Sequence, residues 1–133
     1  MRLLQSGEDY LETILILSKK GHVRSIDIVN ELNYSKPSVS IAMKKLKENG
    51  YIEIKNSYIT LTKLGLDIAT KIYERHQILT KALILLGVDE KIALDDACKI
   101  EHDLSEESFA AIKNHLENKK KHYLVNLYFF IFT

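Results

Sequence analysis

Apolar residues recur along this chain at two different periods, and the change of period marks its elements. Tyr10, Leu11, Ile14, Leu15 and Leu17 fall at helical spacing and predict a helix over 8–19, stopped by Lys19-Lys20-Gly21. Ser25 stands where it can cap a short helix, Ile26–Leu32, with Asp27 favourable in its first turn. Asn33-Tyr34 make a turn. Ser35 caps the next helix, which carries Pro37 in its first turn and points Val39, Ala42, Met43 and Leu46 inward. Asn49-Gly50 closes it. The stretch from Tyr51 to Leu61 then alternates partly with period two and breaks at Asn56-Ser57, which predicts a small hairpin. Thr62 caps a long helix from Lys63 to about Leu86, and Gly87 ends it. Asp89 caps another to about Asp103, and Ser105 a third to about Asn118.

Composition agrees with this mainly α reading. One Pro and five Gly in 133 residues leave little room for tight turns. An apolar share of 46% is ordinary for a globular chain with one core or two small ones. A single Cys excludes an internal disulfide. No secretory signal is apparent, and no apolar run approaches the roughly 20 residues that span a bilayer, so a cytoplasmic chain without membrane contact is expected. No linker rich in Gly, Ser or Pro occurs, which places the domain boundary inside the long helix, with domains 1–70 and 71–133.

Net charge is only +1, but the charges are segregated. Between Asn33 and Asn56 five Lys face two Glu, whereas between Asp89 and Ser108 eight acids face two Lys. The first segment suits a polyanion and the second a cation. Helix, short helix, turn, longer helix and hairpin is the winged helix-turn-helix order. The longer helix opens with small polar residues, Ser35, Lys36, Ser38 and Ser40, which let its N–H groups approach phosphate and its start enter a major groove. Pro37 offers an apolar surface to thymine methyls. Lys44 suits a backbone phosphate, as do Lys45 and Lys47. Lys55, with Asn56, suits the tip of a wing. A merely solvated Lys-rich face is the plainer alternative, and the order of elements weighs against it.

The second segment holds Asp96-Ala97-Cys98-Lys99-Ile100-Glu101-His102. On a helix, Cys98, Glu101 and His102 at i, i+3 and i+4 put a thiol, a carboxylate and an imidazole on one face. All three are metal-ligand types. Near the other end, Asp9-x-x-Glu12 repeats the i, i+3 spacing. Taken singly, each has a plain explanation: a buried small Cys, helix-terminal acids, and a structural His76 midway along the long helix.

Several motifs in order change that balance: Glu8-Asp9-Tyr10-Leu11-Glu12-Thr13-Ile14, Ser35-Lys36-Pro37-Ser38-Val39-Ser40, Leu61-Thr62-x-x-Gly65, Arg75-His76, Leu86-Gly87-Val88-Asp89, and Asp96 through Ser105. Over roughly the first 115 residues the chain resembles the diphtheria toxin repressor and manganese transport regulator family of metal-dependent repressors. The resemblance implies a winged helix-turn-helix domain followed by an α-helical metal-binding and dimerisation domain, with no SH3-like third domain. It implies a homodimer on palindromic double-stranded operator DNA, with the equivalents of Ser35, Pro37, Ser38 and Ser40 at the DNA surface. It also implies a regulatory metal surrounded by Asp9, Glu12, His76, Cys98, Glu101 and His102.

That ligand set is mixed. Asp9 resembles the manganese regulators and Cys98 the iron-type relatives. Carboxylates favour hard ions and a thiolate softer ones, so Mn²⁺ or Fe²⁺ is expected, with Zn²⁺ or Co²⁺ binding in vitro. Thr80 and Leu94 stand where relatives supply ligands for an ancillary metal. One metal per subunit is therefore expected, or a weak second one at His76. The tail from Lys119 departs from the family, and its apolar end is expected to pack on the dimerisation domain or to be disordered, with an interfacial anchor a weaker third choice. Function follows as repression, probed through a dimer that a divalent metal locks into its operator-binding form, with Mn or Fe uptake genes as targets. A metal-independent winged-helix regulator sensing a small organic ligand is the rival class, and a zinc enzyme a weaker one. No nucleophile elbow or phosphate loop supports an enzyme.

Overall fold

The computed structural model describes residues 3–132; the side chains of 120–130 and 132 lie outside the described residues. Six helices and one hairpin follow in the order α1 (Gln5–Ser18), α2 (Ser25–Leu32), α3 (Lys36–Glu48), β1 (Ile52–Lys55), β2 (Tyr58–Leu61), α4 (Lys63–Leu85), α5 (Glu90–Ile100) and α6 (Glu106–Phe132). The chain divides into two compact units, Met1–Tyr73 and Glu74–Thr133, so the division falls within α4.

In the first unit α2 packs on α1 and α3, α1 also meets β2, and α3 meets β1. Leu11, Ile14, Ile28, Val39, Met43, Ile52 and Ile59 form the heart of its core, each at most 2% exposed. Capping residues set the helix starts. The Ser35 hydroxyl accepts from the Ser38 N–H at 3.2 Å, which satisfies an end group of α3. α3 ends in a Schellman motif: Gly50 N–H donates to Lys47 and Tyr51 N–H to Leu46, with Gly50 at φ 80°. Ser25 does not cap α2. Arg24 takes that place, and its N–H donates to the Asp27 carboxylate at 2.8 Å. The Asp27 carboxylate reaches back three positions to this N–H, so the helix begins one residue earlier, with Ser25 inside it.

β1 and β2 pair antiparallel, with Ile52 opposite Leu61 and Lys55 opposite Tyr58. Asn56 and Ser57 both have positive φ, 53° and 67°, as a two-residue turn matched to strand twist requires. The loop before α2 joins the hairpin, since Ile59 N–H donates to the Val23 carbonyl at 2.7 Å. At the root of the hairpin the Thr62 hydroxyl donates to the Gly50 carbonyl and accepts from Gly65 N–H. Gly65 is required by contact: a Cβ there would lie 2.0 Å from the Tyr51 carbonyl oxygen.

The second unit contains the rest of α4, α5 and α6. α4 closes in a second Schellman motif at Gly87, φ 101°. The Asp89 carboxylate accepts from Lys91 N–H to start α5, and the Ser105 hydroxyl accepts from Ser108 N–H to start α6. Ala93 and Ala97, one turn apart, are fully buried, and small side chains on one face permit close helix packing. α5 stops at Ile100, short of the expected Asp103, and Arg75 donates to the Glu101 and Leu104 carbonyls beyond that end. α6 continues to Phe132 rather than Asn118; after Asn118 there is no Gly or Pro to break it. Whether the apolar tail packs on this unit concerns side chains outside the described residues. Among the described residues, no helix is long and apolar enough to cross a membrane.

Candidate metal centre and DNA-reading surface

The C-terminal unit gathers four of the expected ligands. α4 supplies His76 and α5 supplies Cys98. Glu101, the C-terminal cap of α5, and His102 occupy the turn that follows. Although α5 has ended, Glu101 keeps right-handed helical angles, φ −58° and ψ −28°, so the i, i+3 relation to Cys98 survives. Glu101 is 1% exposed. Its two carboxylate oxygens face different imidazoles: Oε2 lies 2.9 Å from His76 Nδ1, and Oε1 lies 3.3 Å from His102 Nε2. Cys98 Sγ stands 3.6 Å from His76 Nδ1. One donor atom each from His76, Cys98 and Glu101 fall within 4.8 Å of one another.

Such a group fits a divalent transition metal. A buried carboxylate requires compensating positive charge or hydrogen bonds. Imidazole nitrogen, thiolate and carboxylate are the donors that borderline metals accept, at about 2.0–2.3 Å each, which ligand atoms this close can satisfy together with small rotations. His76 belongs to this group through Glu101 and Cys98. Thr80, in contrast, donates its hydroxyl to the His76 carbonyl at 2.7 Å, a bond internal to α4, and Leu94 is an exposed apolar side chain. In the N-terminal unit, Asp9 and Glu12 share a face of α1 at i, i+3, both half-buried.

The polar face of α3 carries the expected DNA-reading residues. Ser35, Lys36, Pro37, Ser38, Ser40 and Lys44 are exposed, opposite the buried Val39, Met43 and Leu46. Ser35 and Ser38 also hydrogen-bond to each other through their hydroxyls, at 2.8 Å. That bond stiffens the first turn while leaving Pro37 and Ser40 on its outer side. Lys55 is exposed at the end of β1, beside the hairpin turn.

Two features escape sequence reading. At the wing, the His22 ring stacks on Tyr58 with centroids 4.5 Å apart, and the Arg24 guanidinium donates to the Tyr58 hydroxyl at 3.1 Å. Beside the candidate ligands, Arg75 donates to the carbonyls of Glu101 and Leu104. Both join residues some thirty positions apart, and only the Arg75-His76 pairing hinted at the second.

Comparison with known proteins bears on both units of the chain. Residues 2–58 match the N-terminal DNA binding domain of the iron dependent repressor family, and residues 62–124 match its metal binding and dimerisation domain. The chain is 37% identical over 120 residues to an uncharacterized HTH-type transcriptional regulator of Methanocaldococcus jannaschii, covering 87% of this chain and 96% of that one. It is 38% identical over 108 residues to the transcriptional regulator MntR of Escherichia coli O6:H1, covering 80% and 70%. A manganese-dependent transcriptional repressor solved in complex with manganese superposes with a TM-score of 0.77 at 26% identity. The match covers 84% of this chain and 52% of the solved one. With a DNA-binding unit, a metal-binding and dimerisation unit, and a relative matched over nearly its whole length, the chain belongs to the iron-dependent repressor family of metal-dependent transcriptional regulators, to which MntR is related.

Proposed function

We propose that this chain acts in the cytoplasm as a homodimeric repressor of Mn or Fe uptake genes, with Mn²⁺ or Fe²⁺ held by His76, Cys98, Glu101 and His102 and by Asp9 and Glu12. One observation carries the reading: a buried Glu101 carboxylate between two imidazoles, with a thiol beside it. A bound dication brings two positive charges to this set of carboxylates and thiol. Asp9 and Glu12, held at fixed spacing by α1, present two more negative groups from the unit that also carries α3. Uncompensated, these acids repel; compensated, they tie the DNA-reading unit to the dimerising one. The two α3 helices of the dimer then keep one spacing, and half-sites about 34 Å apart on DNA demand one. Ile84, Leu85, Leu86, Ile92 and Leu94 are large, apolar and exposed in the single chain, which supports pairing through the C-terminal unit.

Metal acts only through its preference for the DNA-competent arrangement, and operator DNA tightens metal binding by the same factor. The test is operator binding by Asp9→Ala and Glu101→Ala across a Mn²⁺ titration. Both variants are expected to need at least tenfold more metal for half-maximal binding. Unchanged metal dependence in both sinks the mechanism.

A further inference from the structure

The end of α5 is a weak point that the metal site depends on. A helix leaves its last carbonyls without partners inside itself. Here Glu101 and His102, two of the ligand residues, sit in that last, loosely bonded stretch. No glycine in a left-handed conformation closes α5, unlike α3 and α4. Arg75 does the closing from another helix. Its Nη1 donates to the Glu101 carbonyl at 3.1 Å and also to the Leu104 carbonyl. Its guanidinium lies over the Phe109 ring, 5.2 Å from the centroid, and only 13% of the side chain is exposed. An ion-pair contact with Glu106 at 4.0 Å is the outermost and weakest of these, since Glu106 is 85% exposed.

We infer that Arg75 is a positioning residue for the metal site: it holds the 101–104 turn by its main chain while the next residue on α4, His76, engages the Glu101 side chain. Glu101 is thereby gripped at both ends by consecutive residues of α4. The main-chain hold fixes where the carboxylate and the His102 ring begin, and the side-chain hold fixes where they point. Lysine cannot replace this arrangement. A guanidinium is a planar fork that bridges two carbonyls and stacks on an aromatic ring, whereas an ammonium is a compact, strongly hydrated point charge. Partners behind metal ligands are worth about 10–100-fold in metal affinity when removed.

This inference rests on Glu101 being a ligand, so the two must be tested side by side. Mn²⁺ affinity is measured by calorimetry on the full chain for wild type, Glu101→Gln, Arg75→Lys and Phe109→Leu. Co²⁺ absorption reports the thiolate charge-transfer band of Cys98, and far-UV circular dichroism of the metal-free proteins reports folding. Glu101→Gln is expected to lose Mn²⁺ affinity, and Arg75→Lys to lose about 10–100-fold with an altered Co²⁺ spectrum while its helix content is kept. If Glu101→Gln binds as wild type does, the ligand assignment fails, and the inference with it. If Glu101→Gln loses metal but folded Arg75→Lys keeps wild-type affinity and spectrum, the inference alone is overturned. Should Arg75→Lys fail to fold, Phe109→Leu decides: it removes the platform under the guanidinium, a several-fold loss is expected, and wild-type affinity overturns the proposal.

Discussion

Gly65→Ala isolates the contact that seats the wing against α4. The added Cβ would sit 2.0 Å from the Tyr51 carbonyl oxygen, and Cβ contacts below 3.0 Å essentially do not occur. About 1 Å of separation must therefore open between the first turn of α4 and the start of the hairpin, and both sides of the contact are backbone. Overpacking costs about 1–3 kcal/mol, and a backbone clash belongs at the upper end. Alanine returns about 1 kcal/mol through its better helix propensity. The net expectation is a loss of about 2 kcal/mol and a Tm lower by roughly 5–15 °C. Gly7→Ala is the matched control. Gly7 is also helical, but its new Cβ meets only the flexible end of Leu3, at 2.6 Å from Cδ1. Rotating Leu3 relieves that contact, so propensity and strain nearly cancel and stability should stay within about 0.5 kcal/mol of wild type. Urea and thermal unfolding of the metal-free chain, followed by circular dichroism, measure both. Gly65→Ala at or above wild-type stability, or equal shifts in the two variants, would refute the reasoning.

Two further outcomes follow from the DNA-reading unit. With saturating Mn²⁺, Pro37→Ala should weaken binding to operator more than to scrambled DNA, whereas Lys44→Ala should weaken both and lower the salt slope by about 1, as fluorescence anisotropy across a salt series would show; equal loss on both duplexes for Pro37→Ala contradicts its base-reading role. Burial, and then the charge of Tyr34 against whose ring it packs edge-on, raises the Tyr10 pKa above its ordinary 10.0. The unfolded chain thus loses this proton first, so the stability Tyr10 contributes is intact below pH 10 and falls as pH rises through the folded value, by at most about 1.4 kcal/mol per pH unit. Urea midpoints from pH 8 to 11 should fall less steeply for Tyr10→Phe, and parallel slopes would dismiss Tyr10 as the source.

Local physics was legible from the residue string. Ser35, Thr62, Asp89 and Ser105 start α3, α4, α5 and α6 because a side-chain oxygen reaches N–H groups two or three positions on, a matter of neighbours alone. Asn56-Ser57 turns the hairpin for a similar reason. The buried row Val39, Met43 and Leu46 followed from helical period, as did the exposed polar start of α3 that is the candidate DNA surface. Where two local options competed, tertiary or electrostatic context decided. The Asp27 carboxylate holds the Arg24 N–H at the start of α2, where Ser25 was expected to cap, and Arg75 from another helix holds the Glu101 carbonyl just past the end of α5. Cys98, Glu101 and His102, and Asp9 with Glu12, were singled out by type and spacing, and His76 was added by the family resemblance, but spacing along one helix could say nothing of what faces Glu101. Only the fold buried that carboxylate, set His76 against one of its oxygens and His102 against the other, and placed the Arg75 fork behind them. Hydrogen bonds act over about 3 Å of space. Residues 25 or more positions apart in the chain come within that reach only when helices pack, and that is why the sequence could offer candidate metal donors by type while the tertiary structure alone decided what surrounds them.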